Sequence, residues 1–96
     1  RQRELAHLFQ ESVVDILTKK TRQAVLAHGA KAVVLAGGVA ANTRLRELIV
    51  KRMPVPVHIP AFALCTDNAA MIAACAYYRP MLAGLDVAVD PNLAFV

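Results

Sequence analysis

The chain has 96 residues, 57% of them hydrophobic, and a formal net charge of +4. That length makes one domain or a piece of one; no run reaches the ~18 apolar residues of a membrane span, and no signal peptide is visible. A pI near 9.5 suits a nucleic-acid partner, but Lys and Arg are not interleaved with aromatic residues in the way that stacks on single strands.

From Arg3 to about His28, Leu5, Leu8, Phe9, Val13, Ile16, Leu17, Val25 and Leu26 recur at three- and four-residue steps. This predicts a long helix with one buried stripe. Lys19, Lys20 and Arg22 lie late in it, where they favour the C-terminal dipole and read as a solvated face, and Gly29 suits the position after the last turn.

Lys31 to Ala36 is a short Val-rich run, expected as a strand buried on both faces. Gly37-Gly38 then makes a turn into a helix that starts near Ala41 or Asn42 and stops before Pro54, with Leu45, Leu48 and Ile49 inward. A strand, a diglycine and a helix start bring backbone N–H groups to one point, which suits a phosphate or ribose. The spacing is neither the G-x-G-x-x-G fingerprint nor the G-x-x-x-x-G-K-[ST] loop, and a plain strand-to-helix turn is the competing reading. Asn42 has two readings, a helix cap or a partner for an adenine edge. Arg44 and Arg46 are two apart and do not face together, so at most one would approach a phosphate. Arg46, with Glu47, is expected at the surface.

Pro54 to Pro60 reads as a short proline-bounded strand, at an edge or briefly central. A loop follows from Ala61 to Thr66, then an alanine-rich helix capped by Thr66 or Asp67 and running to about Pro80. Asp67 at a helix start stays ionised, which suits a metal ligand as well as a cap. Cys65 and Cys75 form no C-x-x-C and no zinc spacing, and are expected as reduced thiols of a cytoplasmic protein. Cys65 has no paired His in its local sequence and reads as a small buried residue; His58 reads as a core or edge histidine. Leu85 to Val89 alternates before a turn at Asp90-Pro91-Asn92. The order helix, strand, helix, strand, helix predicts an α/β layer with parallel strands.

The pair LAGGVAANTRLRE (Leu35–Glu47) and LCTDNAAMIAA (Leu64–Ala74) resembles the carboxy-terminal part of the tRNA threonylcarbamoyladenosine synthesis family, and the resemblance runs from the FQESVVDIL helix near Phe9 to Asp90-Pro91-Asn92. It implies a ribonuclease H-like, actin-like ATPase fold, shared with sugar kinases, heat-shock chaperones and actin. The implied activity is transfer of a threonylcarbamoyl group from threonylcarbamoyl-AMP to N6 of a tRNA adenosine. Gly37, Gly38 and Asn42 would hold the adenine nucleotide. Asp67 would join an H-x-x-x-H pair to hold a divalent metal, iron or zinc. His7, His28 and His58 form no such pair, so a lone Asp67 is expected to hold metal poorly. The chain opens at Arg1 inside an amphipathic pattern, and the family is much longer; residues 1–96 are therefore expected to be a single carboxy-terminal fragment, inactive alone. The implied partners are tRNA and companion threonylcarbamoylation proteins, with no membrane, and the fragment itself is expected to associate through uncovered apolar faces. The competing readings are a sugar or carboxylate kinase or another ATPase of the superfamily, a glycoprotease as the family was once assigned, and a non-catalytic scaffold. The glycoprotease lacks any H-E-x-x-H.

Overall fold

The computed structural model describes residues 1–94. Helix α1 spans Gln2–His28 without a break and ends at Gly29, whose φ of 60° is the left-handed conformation that glycine adopts without penalty. Strand β1 (Val33–Val34), helix α2 (Thr43–Arg52), strand β2 (Val57–His58) and helix α3 (Ala69–Tyr78) follow. The expected order of elements is present, and the two strands pair in parallel with Val33 opposite Val57 and Val34 opposite His58. A parallel pair needs a crossover, and α2 supplies it.

The core lies where α2 crosses α1. Val14, Leu45 and Leu48 form one buried cluster, with Leu35 packed against it from the end of β1. Thr18 is fully buried beside them. Its hydroxyl donates to the Val14 carbonyl at 2.8 Å and accepts from Arg52 Nη1 at 3.0 Å, so it enters the core with its polar atom satisfied. Charged pairs rim the contact. Arg44 donates to both carboxylate oxygens of Glu11 at 2.6 and 3.0 Å, and Arg52 reaches Asp15 at 2.7 Å.

Several expectations are corrected here. Of the predicted stripe on α1 only Val25 is buried, and the helix instead buries Val14 and Thr18, while Phe9 is 74% and Ile16 54% exposed. The reason is length: ten-residue α2 covers about 15 Å of a 27-residue helix that is about 40 Å long. The strand expected to be buried on both faces has a half-buried Val33 and an exposed Val34, because among the described residues the sheet has two strands and nothing lies over its outer face. The alternating piece Leu85–Val89 carries no helix or strand, and Asp90 makes the expected turn, accepting from the Asn92 N–H at 2.9 Å. Among the described residues no helix is long and apolar enough to cross a membrane.

Candidate functional site

Both parallel strands run out on the same side, and their carboxyl ends are where open α/β sheets place ligands. The chain leaves β1 through Ala36-Gly37-Gly38 and leaves β2 through Ile59-Pro60. Between these exits lies an open cleft of about 1070 Å3, walled by Gly37 and Gly38 on one side and by Thr66 and Asp67 on the other, with His58 on its floor. Two motifs about thirty residues apart in sequence therefore face one space.

The diglycine does two different jobs. Gly37 has φ 91° and ψ 175°, a conformation essentially confined to glycine, and its carbonyl accepts from the Ala40 N–H at 3.0 Å to start a 3-10 turn over Gly38–Ala41. Gly38 has no positive φ, and a Cβ built on it meets nothing within 4 Å. The chain's own packing therefore does not demand glycine at Gly38, which leaves the space in front of it open to a ligand. The 3-10 turn separates the diglycine from α2, which begins at Thr43 behind its cap Asn42, where the sequence placed the helix start.

That first turn is closed by Asn42. Its Oδ1 accepts from the Leu45 N–H at 2.9 Å, and its Nδ2 donates to Gln10 Oε1 at 3.2 Å. The cap reading of Asn42 is thus realised, and the side chain faces a smaller apolar groove of about 260 Å3 lined by Phe9, Val13 and Leu45. It does not line the cleft that Gly37, Gly38 and Asp67 share.

On the opposite wall, the cap of α3 is Asn68 and neither Thr66 nor Asp67. Asn68 has extended backbone, and its Oδ1 accepts from the Met71 N–H at 2.9 Å. This frees Asp67, which is exposed on the cleft wall and makes no ion pair among the described residues. Among the described residues no three His, Cys, Asp or Glu side chains gather into a metal cluster. The chain's own donors thus do not complete a divalent-metal site, and Asp67 offers a single carboxylate. His58 sits on a strand edge, exposed toward the cleft.

Arg46 is where sequence reasoning missed most. It is half-buried and not a surface partner of Glu47. Its guanidinium donates to the carbonyls of Ala40 and Pro60 and to Cys65 Sγ, the last two at 3.0 and 2.9 Å, and it stacks 3.9 Å from the centroid of the Phe62 ring. Cys65 is buried, as expected, and its thiol points toward the Ala61 carbonyl at 3.6 Å. These partners lie 6, 14 and 19 residues from Arg46, a spacing with no periodic signature in sequence.

Comparison with known proteins identifies the family. The family model for tRNA N6-adenosine threonylcarbamoyltransferase matches residues 1–74. Curated proteins of that name are 50% identical in Thermomicrobium roseum, over 97% of this chain and 26% of that protein. They are 45% identical in Dehalococcoides mccartyi, over 95% of this chain and 29% of that protein, and 53% identical in Bacillus licheniformis, over 74% and 22%. The chain spans about a quarter of the length of the curated relatives it matches. On the family match across residues 1–74, this chain belongs to the tRNA N6-adenosine threonylcarbamoyltransferase family.

Proposed function

We propose that this segment forms the adenylate-holding edge of a transferase that moves a threonylcarbamoyl group from threonylcarbamoyl-AMP to N6 of a tRNA adenosine. The observation that carries the reading is the convergence of Gly37-Gly38 and Asp67 on one cleft at the carboxyl ends of two parallel strands. In the transfer, the N6 amine attacks the carbamoyl carbon, AMP leaves with the electron pair of the broken C–O bond, and N6 loses a proton. Gly37 and Gly38 let the backbone approach the AMP moiety, and Asn42 supports that wall through the cap of α2; it contacts an adenine edge only by giving up Gln10 and turning its amide out of the neighbouring groove toward the cleft. Asp67 supplies one ligand to a divalent metal, iron or zinc, the other ligands coming from elsewhere in the protein. The parallel pair with its crossover supports an actin-like, ribonuclease H-like fold for the whole. The expected partners are the tRNA and companion threonylcarbamoylation proteins, in the cytoplasm.

The deciding experiment is calorimetric titration with AMP, using a chain of the relatives' full length that carries this segment. Gly38→Val is the informative variant, because its Cβ has free space and its backbone needs no positive φ. Gly38→Val is expected to keep the fold and to weaken AMP at least tenfold by filling the ligand's space. Gly37→Val should also abolish binding, with an added strain of about 1–3 kcal/mol in stability. Undiminished affinity in Gly38→Val would overturn the assignment of this wall to the nucleotide.

A further inference from the structure

We propose that Arg46 is the positioning residue that sets the distance between the two walls of the cleft. It rests on α2, behind the site, and is not a wall of the cleft. Through Ala40 it holds the end of the 3-10 turn that begins at Gly37-Gly38. Through Pro60, Cys65 and the Phe62 ring it holds the loop that ends at Asp67. Apart from buried Cys65, that loop is otherwise held only by short-range bonds: α3, which follows, has no buried residue, and the loop's own hydrogen bonds are Leu64 to Ala61, Cys65 to Phe62, the Cys65 thiol to Ala61 and Asn68 Nδ2 to Thr66. One side chain therefore joins two segments whose sequence separation would otherwise let them move independently.

The chemistry of the guanidinium explains why Arg stands here. Its planar fork offers several donors in fixed directions, and its faces stack on an aromatic ring. Two carbonyls, a sulfur and a ring around one group match that shape. A lysine keeps the charge but is a compact point donor, and cannot meet three acceptors and a ring face together.

The assignment of the cleft to an adenylate is taken over from the function proposed above, so the test has one arm that needs no ligand. In a chain of the relatives' full length, Arg46→Met is expected to raise amide hydrogen exchange at least tenfold in two separated stretches, residues 38–42 and 61–67. Amides of the α1–α2 core should keep their wild-type rates. Unchanged exchange in either stretch would overturn the proposal. If Arg46→Met raises exchange everywhere, Phe62→Ala decides in its place, since it removes only the stacking ring; it should loosen 61–67 alone, and no change there would overturn the proposal. The second arm is AMP affinity in the folded variants. Wild type, Arg46→Lys and Arg46→Met are expected to bind in that falling order, with Lys restoring part of what Met loses. Equal AMP affinity in all three, with only melting temperature lowered, would reduce Arg46 to a stabilising contact and overturn the positioning role. Wild-type protein that does not bind AMP would overturn the nucleotide reading of the cleft, and Arg46 would then be judged by exchange alone.

Discussion

At the scale of single residues, the site separates conformation from contact. Gly37 is required by its own backbone, Gly38 by nothing inside the chain, and Asp67 by no cap or ion pair among the described residues. Asn42 is the residue at which two roles compete, since both ends of its amide already have partners. Asn42→Asp separates them. The carboxylate still accepts from the Leu45 N–H, and Asp caps a helix as well as Asn does. The NH2 donor is lost, so a contact with an adenine acceptor would be lost too. The expected outcome is AMP affinity reduced several-fold with stability little changed. Asn42→Ala, in contrast, should cost about 1 kcal/mol of stability through the lost cap, read from denaturant unfolding. If Asn42→Asp binds AMP like wild type, Asn42 acts as a cap alone.

At the scale of elements, α1 and α2 are held by a small core and a rim of charge. Hydrogen bonding from Arg44 holds the Glu11 carboxyl below its ordinary value of 4.5, and bonds from Lys19 and then Arg52 hold Asp15 below 3.8. The same contact raises Arg44 above its ordinary value, so its charge persists at all working pH. A lowered carboxyl pKa means that the folded state binds the proton less readily than the unfolded state. Its stabilisation is therefore complete above the ordinary value and is lost as pH falls through the lowered one. Both carboxylates are half-buried at the rim and still reach solvent, and salt screens such pairs, so the effect is modest. The melting temperature should begin to fall below about pH 4.5, and Glu11→Gln should flatten that acid limb while leaving the pH 6–8 plateau shape unchanged. An acid limb identical in wild type and Glu11→Gln, followed by circular dichroism, would contradict the account.

At the scale of the molecule, the described elements do not enclose themselves. The accessible surface is 8388 Å2, against about 5400 Å2 for a folded monomer of this mass. The radius of gyration is 17.3 Å, against about 13 Å for a compact domain of this length. Much of the excess is apolar, from Leu5, Leu8, Phe9 and Ile16 on α1 and from Met71 and Ile72 on α3. At ~25 cal/mol per Å2, several hundred Å2 of such surface outweighs a modest association cost. The 96-residue segment alone is therefore expected to associate at micromolar concentration, as seen by light scattering, and a monodisperse 10.3 kDa monomer would refute this. Phe9 and Ile16 stand outside the cluster of Val14, Leu45 and Leu48, so the core and the contact face are separate. Phe9→Glu or Ile16→Glu should weaken association while moving helix stability by less than about 0.5 kcal/mol.

Local chemistry written into the sequence determined the elements. Apolar steps of three and four residues with Gly29 behind them define α1, Pro54 stops α2 in advance, and a Val-rich run into Gly37-Gly38 makes a strand and a turn. Gly37, Gly38 and Asp67 stood out as candidates through the resemblance carried by their two motifs, since a glycine pair alone reads equally as a strand-to-helix turn and a helix-start carboxylate equally as a cap. Three matters belonged to tertiary structure alone. Which face of α1 is buried depended on how far short α2 could reach, so the contact fell on Val14 and Thr18 and not along the whole stripe. Which of Thr66, Asp67 and Asn68 caps α3 depended on the backbone conformation at Asn68, a matter of one residue's φ and ψ. Arg46 acquired its role only when folding brought carbonyls and a sulfur from three distant positions around one guanidinium, because hydrogen bonding depends on proximity in space and leaves no period in the chain.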